Sequence, residues 1–233
     1  MTNNLSCAAY RQTLFSRAGC TGHGDCNNNQ DKTLGAYWFD DSVEAIIQTL
    51  IDSNKLDNTF FLFQMDHGKV GKNTNWEVGT RLASFVHYPP FGVGELDVPI
   101  SVIDIAATVF ELARVNPPYE LDGDSWVSLA TGDSSEILFW RDKRCLFFEY
   151  IQDRAVRCGC YKYMRRHSDS TLDFLGHSQE AENLFDLCDG ADFSYSTANN
   201  MELGTRNLLG TNTNLVSLDS NFSCTVILNA KFD

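Results

Sequence analysis

The spacing of apolar residues predicts a helix that leads into a buried strand. From Val43 to Ile51, apolar residues recur every three or four positions, which is the stripe of an amphipathic helix beginning near Tyr37 and ending near Ser53. After a turn, residues 59–63 form a run of Thr, Phe and Leu that is typical of a central strand in a covered sheet. Helix, short turn and buried strand together make one unit of an α/β fold.

The following part of the chain extends this pattern and then changes to shorter strands. Residues 82–86 predict a second strand, and the apolar spacing over residues 100–115 predicts a helix that covers the sheet. After Ser134 the chain shows strand-like runs between charged turns, which predicts a small antiparallel sheet. These runs are residues 145–150, 155–156 and 161–164.

These patterns divide the chain into three parts. Residues 1–35 are rich in Asn, Gly, Cys and Asp without a sustained period, so we expect an irregular leading segment there. Residues 36–134 carry the pattern of an α/β core, and residues 135–233 carry the small antiparallel subdomain followed by an irregular tail. The predicted fold class is α/β: a partial sheet with flanking helices, plus a small antiparallel β subdomain.

Charge and hydropathy exclude two classes of partner. The chain of 233 residues has 31 acidic and 18 basic side chains, a formal net charge of −13, which argues against a surface that binds nucleic-acid phosphates. No apolar run approaches the ~18–20 residues that a membrane helix needs. We therefore expect neither nucleic-acid binding nor a membrane span.

Cysteine content points to an oxidising compartment. The chain has eight cysteines and two glycosylation sequons, Asn4-Leu5-Ser6 and Asn221-Phe222-Ser223. Cys158-Gly159-Cys160 lacks the CxxC spacing of a zinc site, so disulfides or buried thiols are expected. Although the first residues show no basic segment followed by an apolar stretch, these features predict a secreted, lysosomal or other secretory-pathway glycoprotein.

Candidate chemistry lies directly after the predicted central strand. Asp66-His67-Gly68 follows this strand, at the carboxyl edge where open α/β sheets bind ligands, and Lys72 comes soon after it. Aspartate and histidine can hold a metal ion, and lysine can hold an anion. Asp66 and His67 alone could equally cap a loop, so the neighbouring residues decide the interpretation.

The neighbouring motifs resemble the sulfatases of the alkaline-phosphatase-like superfamily. Their pattern is DHG, a short loop with a lysine, and then W/Y-E-G-G-x-R, which residues 76–81 (WEVGTR) match closely. Further matches occur in order on both sides of this segment. They are the Y…DxxVGxII helix at residues 37–47, the D-I-a-P-T helix at 98–108, lDGxS at 121–125, and RaVR, yKY and LYDL at 154–157, 161–163 and 184–187.

This resemblance implies the C-terminal half of a sulfatase catalytic domain with its small C-terminal subdomain. It implies a calcium ion held by Asp66 and His67, a sulfate ester of a small molecule or carbohydrate held by Lys72, and attack on sulfur by a formylglycine gem-diol. A cation and a lysine suit this reaction, because they offset the charge that develops on the tetrahedral group. Since they serve phosphate equally, a phospho- or phosphonate-ester hydrolase of the same superfamily is an alternative.

The chain lacks other parts of the family pattern. An Asp-Asp metal pair and the C-x-P-S-R nucleophile belong to the other half of a sulfatase, so we expect the isolated chain to be inactive. We also expect a missing N-terminal half or a partner chain to complete the sheet. A non-catalytic, truncated sulfatase-like protein is the second alternative.

Two further features of the sequence are interpreted against this pattern. Cys7-Ala8-Ala9-Tyr10-Arg11 fits a loose C-x-A-x-R form of the nucleophile motif, but such a match arises by chance in about one chain in twenty or thirty of this composition. Cys7 is therefore a secondary candidate, the alternative being a cysteine in an irregular, disulfide-bonded segment. Glu77 and Arg81 are interpreted as structural residues that fix the loop carrying Lys72.

Overall fold

A computed structural model describes residues 7–22, 24–68, 72, 74–167, 181–188 and 208–209. Its elements fall into two units, residues 1–61 and 62–233. The three-part division expected from the sequence stays a prediction. In the described part of the chain, no helix is both long enough and apolar enough to cross a membrane.

The first unit is built on the long helix α2 (Asn28–Asp52). The helix ends where the apolar stripe predicted, but it begins nine residues before Tyr37. Its polar first turns are stabilised by a capping box. The Asn27 side chain accepts hydrogen bonds from the amides of Asn29 and Gln30, both at 3.0 Å, and the Gln30 side chain accepts from the Asn27 amide at 2.9 Å.

The shorter helix α1 (Cys7–Ala18) lies in the segment that was expected to be irregular. Its residues Leu14, Phe15 and Ala18 are buried, which an aperiodic polar sequence did not reveal. Arg17 donates to both carboxylate oxygens of Asp41 in α2 at 2.7 Å. The sequence therefore forms a helix here because α2 supplies its packing and ion-pair partners, and the Cys20–Cys26 disulfide closes the connecting loop.

The second unit begins with a two-stranded sheet of β1 (Phe61–Gln64) and β2 (Ser84–His87), close to the two predicted strands. The short helix α3 (Glu77–Thr80) lies between them in sequence. All four residues of β1 are half-buried, whereas a central strand was expected to be fully covered. The difference arises because β1 has a single neighbouring strand in the described part of the chain.

Three helices follow: α4 (Asp104–Ala113), α5 (Val127–Ala130) and α6 (Ser134–Asp142). Asp104, at the start of α4, is fully buried and pairs with the Arg144 guanidinium. Its carboxylate also accepts hydrogen bonds from the amides of Ser101 at 2.6 Å and Asp124 at 3.0 Å. This buried carboxylate joins three chain segments around the start of α4.

The segment before Asp124 depends on a glycine. A Cβ atom on Gly123 would lie 2.3 Å from the carbonyl oxygen of Ile103, so a larger residue does not fit without moving the backbone. The two motifs D-I-a-x-T and lDGxS, which are separate in the sequence, are therefore in contact in the fold.

The second sheet has four antiparallel strands in the order β3-β4-β5-β6, which confirms the predicted antiparallel subdomain. The strands are β3 (Cys145–Tyr150), β4 (Asp153–Cys158), β5 (Tyr161–Arg165) and β6 (Glu182–Asp186). Disulfides Cys145–Cys158 and Cys160–Cys188 link neighbouring parts of this sheet. Their formation agrees with the expectation that these cysteines are bonded rather than metal-binding.

One face of this sheet packs against the segment that contains α3. The shared apolar core consists of Trp76, Val78, Ala155, Met164, Phe185 and Leu187, with Phe148 at its margin. Glu77 lies between two of these core residues and is itself only 4% exposed. The Lys162 ammonium, fully buried, lies 2.9 Å from one Glu77 oxygen, and Arg157 lies 3.3 Å from the other.

The environment of Glu77 favours its charged form. Burial by itself opposes ionisation of this carboxyl, but the positive charges of Lys162 and Arg157 outweigh it and lower its pKa to about 2. The Glu77 carboxyl is therefore ionised at neutral pH.

We expect the Asp104–Arg144 pair to contribute strongly to stability. Asp104→Asn leaves the buried Arg144 guanidinium without its anion, so the free energy of unfolding should fall by about 3 kcal/mol in urea denaturation. Asp142→Asn removes the anion of an exposed pair with Arg141 and serves as the control, with little expected change. Equal losses in the two variants would contradict this role of Asp104.

The Glu77 cluster should make stability depend on acidity. The folded pKa of Glu77, about 2, lies below its ordinary value of 4.5, so its contribution is complete above that value and is lost as the pH falls towards 2. Urea unfolding of the wild type and Glu77→Gln should show a stability difference that shrinks from about pH 6 to about pH 3. A difference that stays constant over this range would show that the carboxylate charge is not the stabilising feature.

Candidate functional site

Asp66, His67 and Gly68 follow the end of β1 and are held against α3. The Gly68 amide donates a hydrogen bond to the carbonyl oxygen of Gly79 at 2.9 Å. A Cβ atom on Gly68 would lie 2.2 Å from the carbonyl oxygen of Val78, so only glycine allows this close approach. The backbone of α3 therefore fixes where the two preceding side chains begin.

The structure brings together the three residues that the sequence singled out. The Lys72 ammonium lies 3.0 Å from Oδ2 of Asp66, and Nε2 of His67 lies 3.8 Å from Oδ1. The side chains of Asp66 and Lys72 are 68% and 63% exposed, whereas that of His67 is 32% exposed. The cluster is thus accessible to solvent at the end of a strand, and its role as a binding site stays a prediction.

The hydrogen bond from Lys72 lowers the pKa of the Asp66 carboxyl below its ordinary value. His67 adds a smaller contribution in the same direction. Asp66 is therefore anionic at neutral pH, which is the form that binds a cation.

The geometry of His67 suits metal binding through Nε2. Its Nδ1 atom lies 2.6 Å from the carbonyl oxygen of Gly68, a contact that requires the proton on Nδ1. In the neutral imidazole, which is the form that binds a metal, the lone pair would then be on Nε2, 3.8 Å from Oδ1 of Asp66. A histidine that donates its other nitrogen to a backbone carbonyl is the usual arrangement for a metal ligand.

Asp66 and His67 fit as part of a ligand set for a divalent cation. Calcium takes about 6–8 ligands, mostly oxygen, so further donors are needed to complete such a site. Among the described residues, one group of three possible donors lies close together: Cys160, Asp186 and Cys188. Both sulfurs of that group form a disulfide, so no thiolate is left to bind metal there.

Cys7, the secondary nucleophile candidate, is the first residue of α1 in the first unit. It is an exposed free thiol, which differs from the disulfide-bonded alternative considered for it. Asp66, His67 and Lys72 belong to the second unit. The nucleophilic role of Cys7 stays a prediction.

Reasoning from the sequence did not identify the two cations that pair with Glu77 in α3. Glu77 was interpreted as structural, but its ion-pair partners are Lys162 and Arg157, more than 70 positions away in the chain. The sequence contained a signal for them. Arg157 and Lys162 lie two positions from Ala155 and Met164 on their strands, so each cation is on the same strand face as a buried apolar residue. The pairing itself depends on the fold and cannot be obtained from local spacing.

Comparison with known proteins gives two sequence relatives, while no model of a protein family matches the chain. It is 28% identical over 130 residues to an ulvan-active sulfatase of Formosa agariphila, covering 53% of this chain and 26% of that protein. It is 28% identical over 142 residues to an arylsulfatase of Hemicentrotus pulcherrimus, covering 52% and 25%. The chain thus spans about a quarter of the length of these curated relatives.

Solved structures share the fold. A crystal structure of a protein in complex with k-i-k-neocarrahexaose has a TM-score of 0.58 and 19% identity, covering 84% of this chain and 44% of that chain. A protein in complex with its substrate D-glucosamine-2-N,6-O-disulfate has a TM-score of 0.54 and 16% identity, covering 78% and 36%. The predicted fold class is confirmed, and the two sulfatase relatives support the resemblance to sulfatases found in the sequence.

Proposed function

We propose that this chain forms part of a sulfuric ester hydrolase and supplies half of its active site. The observation that carries the proposal is the cluster of Asp66, His67 and Lys72 at the end of β1, in a chain that is similar to two sulfatases. The cluster combines two possible metal ligands with a cation that can hold an anionic group. This combination suits hydrolysis of a sulfate ester.

Each residue has a distinct task in this proposal. Lys72 binds the non-bridging oxygens of the sulfate group and offsets the negative charge that develops on them. Asp66 and His67 hold a divalent cation, proposed to be calcium, which supplies Lewis-acid stabilisation of the same oxygens when bound. Gly68 keeps both ligands close to α3.

The nucleophile and the remaining ligands are proposed to come from a sulfatase N-terminal half, in a longer protein or in a partner chain. The second unit exposes apolar side chains that such a half would cover. They are Met65, Phe85, Val102, Ile103, Val109 and Val115, each 45–54% exposed. Large apolar surface of this kind is characteristic of an interface.

The substrate is proposed to be a sulfated carbohydrate or another small sulfate ester. Support comes from the two structural neighbours, which were solved with a glucosamine disulfate and a neocarrahexaose. The compartment is proposed to belong to the secretory pathway, because three disulfides form among the described residues. The two glycosylation sequons lie outside the described residues.

The length of the natural protein is first measured by mass spectrometry on material from its source. The proposed reaction is then tested on protein expressed at that length. We expect hydrolysis of an aryl sulfate, and we expect Lys72→Ala to lower kcat/KM by about 100-fold or more, because one contact to the developing charge is lost. Exposed Lys55→Ala is the matched control and should retain activity.

Two results would contradict the proposal. Hydrolysis of an aryl phosphate in preference to the sulfate would favour the phosphate- or phosphonate-ester alternative. If the natural protein begins at Met1 and turns over neither ester, the chain is a non-catalytic sulfatase-like protein.

The metal assignment predicts a shift in calcium dependence. Replacing the anionic carboxylate by a neutral amide in Asp66→Asn should raise the calcium concentration needed for half-maximal binding by about tenfold or more in isothermal titration. Asp57→Asn changes an exposed acidic residue elsewhere and should leave it unaltered. Equal affinity in the wild type and Asp66→Asn would exclude Asp66 as a ligand.

A further inference from the structure

We propose that Lys162 and Arg157, in the four-stranded sheet, are positioning residues for the candidate active site. They act through Glu77 and α3 on the segment that carries Asp66 and His67. This inference deepens the proposed function and rests on it for its catalytic meaning. Its structural content can be tested without any activity.

The first step is the buried ion pair. Lys162 is fully buried, and its ammonium is 2.9 Å from Glu77 Oε1, while Arg157 Nη1 is 3.3 Å from Oε2. The two cations lie on adjacent strands, β4 and β5, where Arg157 and Lys162 are direct cross-strand partners. Both oxygens of Glu77 are therefore held by one rigid part of the sheet.

The second step is the contact between α3 and the site. Glu77 is the first residue of α3, and two residues later Gly79 accepts the hydrogen bond of the Gly68 amide at 2.9 Å. The position of Gly68 cannot change freely, because its Cα lies against the Val78 carbonyl. A displacement of α3 therefore displaces the residues that precede Gly68.

The third step explains why charge, rather than apolar packing alone, is needed. The apolar contacts around α3 are made by Trp76 and Val78 with the sheet, and they tolerate small shifts because dispersion is not directional. A carboxylate held at both oxygens fixes one position. In some proteins, buried polar or ionic groups specify geometry even where they add little net stability.

The test measures the Gly68 amide in the ligand-free chain labelled with 15N-glycine and 15N-methionine. Lys162→Met removes one of the two cations that hold Glu77, the first residue of α3. Arg144→Met is the matched control, because it removes the cation from the other buried pair, with Asp104. The hydrogen-bond partners of that carboxylate, Ser101 and Asp124, lie outside α3. Hydrogen exchange of Gly68 is compared with that of the Met164 amide in β5.

We expect Lys162→Met to accelerate exchange at Gly68 by at least about tenfold more than at Met164, whereas Arg144→Met changes both amides equally. A purely stabilising role of Lys162 would give the same ratio in both variants, and that result would overturn the proposal. If Lys162→Met does not fold, the same comparison is made with Arg157→Met. This variant removes the longer ion pair with Glu77, whose cation is partly exposed.

The outcome is independent of whether the natural protein hydrolyses sulfate esters. Where it does, Lys162→Met should lower kcat/KM for an aryl sulfate at least about tenfold at a temperature where the variant remains folded, and Arg144→Met should not. Loss of activity without a change at Gly68 would also overturn the proposal. Absence of turnover in every form, with the expected change at Gly68, would refute the proposed function alone.

Discussion

The buried carboxylate of Glu77 constrains how α3 packs on the antiparallel sheet of the second unit. It is surrounded by apolar side chains, where an unpaired charge would be very costly, so the fold must bring Lys162 and Arg157 to it. Meeting this requirement places the α3 segment on one face of the antiparallel sheet. The apolar core around Trp76 and Phe185 then fills the space that this ion cluster defines.

A similar solution is used at the start of α4, where the Asp104 carboxylate joins three segments through Arg144 and two backbone amides. The two clusters differ in which parts of the chain their carboxylates connect. Asp104 joins helices and loops to one another, whereas Glu77 begins α3, whose backbone contacts Gly68 directly after the candidate ligands. The same kind of interaction therefore has a structural consequence at one place and a consequence for the site at the other.

Local patterns in the sequence were sufficient for the elements that contain a strong period. The end of α2, both strands of the first sheet and the strand β3 lie close to their predicted positions, and Asp66, His67 and Lys72 come together as expected. Helix α1 was missed because its stability depends on Asp41 and on packing with α2, which no local pattern contains. The partners of Glu77 were missed for the same reason, since the contact spans 85 residues to Lys162.

The proposed metal ligands, Asp66 and His67, lie beside apolar side chains that are exposed. Additional ligands and additional apolar cover are therefore needed at the same place in the fold. Met65 directly precedes Asp66, and Phe85 in β2 stacks on Phe63 in β1 with ring centroids 4.8 Å apart. Both Met65 and Phe85 are about half exposed, so the strand that leads to the site has an apolar surface without cover in the described part of the chain. A segment that covered this surface would end beside Asp66 and His67. The additional ligands and the additional core would then be supplied by the same piece of protein, because a donor carried there is held in place by the burial beneath it.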